Sequence, residues 1–425
     1  MLRRDAEDVL FSNFEIQQCV LRDTARRTAI IEVGDCSLQS ARRRIRLRRV
    51  VFRENVLFDS PALLFRSPQC SQTNWTNVEF VSNTCSGICA ADLPSTVSFS
   101  DISLERNAQF KGKGLEPVLL NALAGSSVSM NRLTAVGNKG TVVRAENCSL
   151  TVSNSHFENN SAEILNTMDE VAHCIQLLNT SPQTEKTIVE SSREKFGSVL
   201  FGISSVVSIK DTSFVSNQAI TGGVITIEED SAVSMVNCSF VANEAREHGA
   251  VIFSSGSRIR CNNSIFDGNK AGGNGGIFYL ESADAPGAEE PSVGSQKRSA
   301  SPGRDAQCQL IGCTFRNNTA ASNGGSFYLR NASLAINGCH SAEGSAEAGG
   351  FVYSREASYV HVNNSTLKLG SARRGGSFYL ELSSRLIVRN ATMESSRASE
   401  DGGAIYLANN SSATNGSLSF NRQSK

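Results

Sequence analysis

GGSFYL stands at Gly324–Leu329 and again, letter for letter, at Gly375–Leu380. A third version, GGFVYS, lies between them at Gly349–Ser354, so the 51-residue interval is two periods of 25 and 26 residues. With the first glycine of each pair as anchor, the series runs Phe196, Gly222, His248, Gly275, Gly324, Gly349, Gly375, Gly402. Its steps are 26, 26, 27, 49, 25, 26 and 27. Self-similarity at this period is the mark of a solenoid. The step of 49 is one period plus an insertion, ESADAPGAEEPSVGSQKRSASPGRDAQ at Glu281–Gln307. That insertion is charged, rich in Pro, Ser and Gly and poor in large apolar residues, which predicts a disordered external loop.

Each period carries three short strand-like pieces. In TGGVITIEEDSAVSMVNCSFVANEA (Thr221–Ala245), VITI follows the glycines, then a turn, AVSMV, a corner at NCSF and a further turn. Apolar residues alternate in the first two pieces, as in strands with one buried face. No piece has the length or 3.6-residue spacing of a helix, which argues against helical and leucine-rich solenoids. The pattern predicts an all-β, parallel β-helix of about 26 residues per coil and roughly fourteen coils. Residues 196–425 read as regular coils interrupted at 281–307, and residues 1–195 as degenerate coils with irregular insertions.

A second marker, F-x-x-N, precedes the glycines at Phe214–Asn217, Phe240–Asn243, Phe266–Asn269 and Phe315–Asn318. Weaker copies at Phe52–Asn55, Phe80–Asn83 and Phe157–Asn160 let coils be traced back to around Ala29. Stacked phenylalanines are expected to fill the interior and stacked asparagines to satisfy a buried turn through amide ladders. In three later coils the phenylalanine position holds Ser341, Leu367 and Met393.

Coils that pair GGA(I/L/V) with FxxN resemble the polymorphic outer-membrane protein repeats of bacterial autotransporters, which also occur in eukaryotic surface proteins. The matching residues are GGVI, GGIF, GGSF, GGFV and GGAI with the FxxN sites above, from about Phe196 onward. The resemblance implies a pectin-lyase-like right-handed β-helix with a surface or adhesive role. A C-terminal membrane barrel is missing from the pattern, and the chain stops at LSFNRQSK, partway through a coil. A β-helix end is an open edge that normally needs a cap, so the sequence reads as part of a longer chain.

Composition agrees with a turn-rich β protein: of 425 residues, 60 are serine, 34 asparagine and 34 glycine. The formal net charge is zero, so no global field argues for nucleic acid. No apolar run approaches the ~20 residues of a spanning helix; the longest candidate is SVLFGISSVV (Ser198–Val207). The N-terminus carries charges where a signal peptide needs an apolar core. N-x-S/T occurs fourteen times, against about six or seven expected by chance for this composition. Asn74, Asn147, Asn179, Asn237, Asn331 and Asn390 are therefore candidate glycosylation sites, which favours an extracellular or cell-surface protein. The repeated turn itself (NCSF, NATM) offers a plainer source of such sequons.

Twelve cysteines form no CxxC pair or Cys/His cluster, and five scattered histidines form no metal set, so no cofactor is expected. Cys313 and Cys339, 26 apart, fall in one column of neighbouring coils. Directly stacked positions suit a disulfide poorly, so a reduced ladder is expected.

Pectin-lyase-like helices include polysaccharide-cleaving enzymes. His248–Gly249 and Arg258–Arg260 resemble pieces of a polygalacturonase site, but the anchor column accounts for His248 and an ordinary strand for the arginines. The paired acids of glycoside hydrolysis are missing, since Glu228–Asp230 lie in a turn. GGNGGIF places Ile277 where a calcium-binding turn needs aspartate. A carbohydrate-active enzyme is thus the alternative to a non-enzymatic, adhesin-like scaffold that binds glycans or a surface protein.

Two features point to binding. ARRRIRLRRV (Ala41–Val50) alternates Arg44, Arg46 and Arg48 with Ile45 and Leu47, predicting one buried face and one basic face suited to an anionic glycan or lipid. Positions three and five after the anchor are apolar and should face inward. Position four should then face outward, and it reads Thr226, Ile252, Tyr279, Tyr328, Tyr353, Tyr379 and Tyr406. Five of the six tyrosines would thus form an outer stripe, either a structural ladder or an exposed platform for sugar rings or a partner.

Overall fold

The computed structural model describes residues 8–22, 30–33, 43–61, 63–65, 71–87, 96–109, 118–122, 125–161, 197–282, 307–415 and 418–421. Among them there is no helix. Every strand pairing is parallel, and each strand pairs with its copy one coil later. This is the all-β parallel β-solenoid that the period predicts, of the right-handed type that the resemblance implies. The chain divides into two compact units, Met1–Val207 and Ser208–Lys425.

In the second unit the broad sheet stacks Ala232–Val236, Arg258–Asn262, Cys308–Ile311, Ser333–Asn337, Tyr359–Asn363 and Arg385–Arg389 in strict register. Ile259 pairs with Cys308, so the ladder passes the insertion without slipping. Residues 283–306, the bulk of that expected loop, lie outside the described residues. After a corner, a short strand continues each coil, as in Ser239–Val241, Ile265–Asp267 and Thr314–Arg316. A narrower sheet follows the glycine pairs: Ile225–Glu228, Ile252–Ser255, Phe278–Glu281, Phe327–Arg330, Val352–Arg355, Phe378–Leu380 and Ile405–Leu407.

In the first unit Asp8–Gln17, Arg43–Arg53, Ser71–Val81, Thr96–Glu105 and Ser127–Val136 form the equivalent broad ladder. The helix therefore extends upstream of Ala29. Among the described residues the narrower face has three strands in this unit and seven in the second, about ten turns on that face, while the broad ladder stacks fourteen strands in succession, the number of coils expected.

Corners set the sequence. In the second unit the chain turns through positive φ at Asp211, Asn237, Asn263, Gly312, Gly338, Asn364 and Asn390. The first unit makes the same bend inside its long strands, at Asn13, Arg49, Asn77, Asp101 and Arg132. Only glycine enters this region freely, and asparagine and aspartate follow. The glycine pair combines two demands. Gly324 has φ +67°, and a Cβ there would lie 2.2 Å from the carbonyl oxygen of Phe327. Gly325 has the other: its Cβ would lie 2.2 Å from the carbonyl oxygen of Gly350 in the next coil. The first glycine lets the chain fold over its own strand, and the second lets coils touch.

The F-x-x-N marker is a double ladder. Phe214, Phe240 and Phe266 stack at 4.8 Å with rings within 4° of parallel. Beside them Asn217, Asn243, Asn269 and Asn318 are buried, and each Nδ2 donates to the next Oδ1 at 2.9–3.0 Å. Asn243 also donates to the Phe214 carbonyl at 3.1 Å, and its Oδ1 accepts the Asn217 main-chain amide at 3.0 Å. In the first unit the ladder runs Asn55, Asn83, Asn107, Asn138, Asn160. Asn107 and Asn138 escape the sequence pattern because Leu104 and Ala135 stand where phenylalanine would.

Truncating one rung breaks several hydrogen bonds at once. Asn243→Ala removes the acceptor that Asn243 offers to the Asn217 main-chain amide and Nδ2, and the donor it offers to the Phe214 carbonyl. We expect a loss of roughly 3 kcal/mol, since a buried unsatisfied group costs about 1–3 kcal/mol. Urea denaturation checks this, and a loss below 1 kcal/mol would show that the ladder carries no such role.

Candidate functional site

The tyrosine row exists, with one change of register. A bulge between Ala219 and Thr221 against Ala245 and His248 inserts one residue, so Thr221 pairs with His248. Gly249, at φ +63°, rather than His248, therefore holds the anchor position. Thr226 pairs with Phe253, which pairs with Tyr279, so the row contains Phe253 where Ile252 was expected. It then runs Tyr279, Tyr328, Tyr353, Tyr379, Tyr406.

Of the two readings of the outer stripe, a structural ladder and an exposed platform, the burial of the rings corrects the second. The rings do point away from the main core, opposite Phe278 and Leu280, yet Tyr279, Tyr328, Tyr353 and Tyr379 are only 5–8 % exposed. Their centroids are 4.8–5.3 Å apart with planes within 9° of parallel, and Tyr406 closes the described stack, half-buried, at 5.0 Å. Ala348 belongs to the same packed cluster, and the Arg374 guanidinium lies 5.4 Å from the Tyr379 centroid and 5.9 Å from that of Tyr406. Alternation tells which side of a strand a residue faces, not whether another segment lies over that side. Here His248, Ala348 and Arg374, each just before an anchor glycine, do.

The phenol ends meet charges that the sequence carries two residues after each ring, in YLE, YLR, YSR and YLE. Tyr279 Oη donates to Glu281 at 3.3 Å, and Tyr353 Oη donates to Glu381. Arg330 and Arg355 both reach Glu356, at 2.8 and 3.1 Å. Burial pushes the Tyr279, Tyr328, Tyr353 and Tyr379 phenols above their ordinary range, and Glu281 and Glu381 reinforce this beside Tyr279 and Tyr353. The row is a structural ladder with a charged border.

His248 lies beside this ladder, its ring stacked on Tyr279 at 4.8 Å and its Nδ1 accepting the Asn274 amide at 3.1 Å. Arg258 and Arg260 are exposed residues flanking buried Ile259 in an ordinary strand. Glu229 and Asp230 occupy a positive-φ corner. The histidine, the arginines and these acids thus each have a place in the coil. Among the described residues no group of three or more His, Cys, Asp or Glu is placed to hold a metal, and no helix is long and apolar enough to cross a membrane.

The basic strand has the geometry its alternation predicts. Arg44, Arg46 and Arg48 are exposed on Arg43–Arg53, while Ile45 and Leu47 are buried. The residues in register on one flank are Gln72, Asn74 and Thr76, all neutral. On the other flank they are Asp8, Leu10 and Ser12. Beyond the bend at Arg49, Arg53 pairs with Glu15 at 2.9 Å.

Asn74, Asn147, Asn237, Asn331 and Asn390 are all exposed. The last four sit at positive-φ corners. Asn179 lies outside the described residues. Cys313 and Cys339 carry free thiols, and the Cys313 amide donates to the Cys339 sulfur at 3.4 Å.

A ladder of buried phenols predicts alkaline lability. Folding raises these pKa values, so it favours the neutral form. The stabilisation is complete below the ordinary tyrosine value of about 10 and is lost as pH rises through the elevated ones. Spectrophotometric titration should show most tyrosines ionising only above that ordinary value, together with unfolding. Six normal titrations in folded protein would contradict the packed row. Tyr353→Ala should cost about 3–5 kcal/mol and Tyr353→Phe far less.

No family model, curated protein or solved structure matches the chain.

Proposed function

We propose that this protein is a non-enzymatic, extracytoplasmic β-helix scaffold of the polymorphic outer-membrane protein type, adhesin-like, that engages an anionic polysaccharide through Arg44, Arg46 and Arg48. The observation that carries the reading is that these three exposed side chains share one outward row, over buried Ile45 and Leu47. A strand rises about 3.3 Å per residue, so their stems recur every ~6.6 Å along a line. Such a row offers regularly spaced forked donors to sulfate or carboxylate groups on a linear chain.

The coupled glycine pairs and FxxN ladders support the family assignment. Exposed Asn74, whose sequon lies within a strand rather than at a corner, supports an extracytoplasmic location. The tyrosine row is no longer a binding candidate on this reading, because its rings are spent on each other. Asn74 is in register with Arg46, so a glycan there would lie across the basic row.

The experiment is salt elution from an immobilised sulfated polysaccharide, using protein made without glycosylation. The triple substitution Arg44→Gln, Arg46→Gln, Arg48→Gln should weaken binding at least tenfold, about 1.4 kcal/mol, and flatten its salt dependence. The fold should persist, since all three side chains are exposed. Equal retention of wild type and variant would remove the arginine row from the function, and turnover of the polysaccharide would overturn the non-enzymatic reading.

A further inference from the structure

Buried thiols gather where the second unit resumes after its insertion. Cys261 ends the interior face of Arg258–Asn262, and Cys313 follows the Gly312 corner one coil later. Both are fully buried, and their sulfurs are 3.8 Å apart. The two residues come from different columns. The corner column reads Cys238, Ser264, Cys313, Cys339, Ser365 by the register of the short strands that follow it. The interior column reads Met235, Cys261, Leu310, Ile336, Val362. Cys261 and Cys313 are offset by one coil and approach diagonally, whereas Cys313 and Cys339 stack directly.

The corner column has a shared task, which is to accept a main-chain amide from the coil before. Ser264 Oγ accepts from the Cys238 amide at 3.0 Å, and Ser365 Oγ accepts from that of Cys339 at 3.1 Å. Serine does this with normal hydrogen-bond geometry, and sulfur is the weaker acceptor. A cysteine at 313 is thus not required by the corner, but it places a thiol against Cys261.

We propose that Cys261 and Cys313 are a disulfide-forming pair that staples the coils on either side of the long insertion. In the bond-forming step, one thiolate attacks an external disulfide of the glutathione class and displaces a thiol. The second thiolate then attacks that mixed disulfide and displaces the other thiol. The pair loses two protons and two electrons, and the external disulfide takes up both electrons. Neither sulfur is open to solvent in the stacked coils, so the exchange belongs to folding, before the later coil closes over Cys261. A cross-link at this point closes a 52-residue interval of chain, and the constraint on the unfolded chain grows with the length of the loop closed.

The test refolds the full chain with oxidised and reduced glutathione, blocks remaining thiols under denaturing conditions, and maps linked peptides by mass spectrometry. The expected result is a Cys261–Cys313 link and two fewer blocked thiols than in protein refolded with reductant. Because the tryptic peptide holding Cys313 also holds Cys308, Cys313→Ser and Cys308→Ala are compared. The link should vanish in the first and persist in the second. Cys313→Ser keeps the corner residue used at Ser264 and Ser365, so its fold is preserved, and its unfolding midpoint should no longer depend on oxidation. A link to Cys308 or Cys339 instead, or no link in oxidised folded protein, overturns the proposal.

Discussion

A chain that turns several times per coil inside a stack must leave no buried main-chain amide or carbonyl without a partner. Strands satisfy this automatically through the coil above and the coil below; corners do not. The solenoid solves the problem at each corner by borrowing from the neighbouring coil. Asparagine side chains bridge Phe–x–x–Asn corners and cap main-chain amides. Serine side chains, and the Cys339 sulfur, accept amides at another corner. Glycine pairs remove the Cβ atoms that would keep the coils apart. Each device works only if the same corner recurs in the next coil, so the period itself is a consequence of satisfying the backbone.

That constraint explains much of the composition. Nine of the fourteen sequon asparagines have positive φ. At several of these corners an asparagine turns the chain, a small residue points inward, and a serine or threonine opens the next strand, as in Asn237–Cys238–Ser239 and Asn364–Ser365–Thr366. The spelling N-x-S/T follows from the corner without reference to glycosylation. Asn74 is different. It lies within a strand and has no positive φ, so no corner accounts for it.

The second unit was legible in the sequence because its corners recur at nearly constant spacing. The first was not, because its asparagine ladder advances by 28, 24, 31 and 22 residues. A fixed period cannot be seen through such changes, although the stacking contacts are the same. Leu104 and Ala135 hid two further rungs by replacing the aromatic half of the marker while keeping the asparagine. Elsewhere a single bulge moved the anchor from His248 to Gly249, which pattern matching on glycines could not separate. The burial of the tyrosine row was out of reach for another reason. It depends on what lies over the sheet, and nothing local to Tyr328 or Tyr353 encodes that.

Columns change as sets, and this shows what the solenoid can spare. The asparagine ladder stops at Asn318, and Gly344 and Gly370 replace it in the next coils. At Gly344 a Cβ would lie 2.4 Å from the Phe351 ring and 2.4 Å from the Gly350 carbonyl oxygen. The corner has tightened, and a phenylalanine that follows the glycine pair fills the space the amides leave. The interior and the corners thus admit substitutions only in compensating groups, because each residue there serves two coils. Tyrosines stacked on one another obey the same restriction. An outward row on the broad sheet does not, since its side chains face solvent and its strand is held by the backbone and by the opposite face. Arg44, Arg46 and Arg48 occupy such a row. Their identity is free of the stacking requirement that fixes Ile45 and Leu47 beneath them, and chemistry can be placed there without cost to the fold.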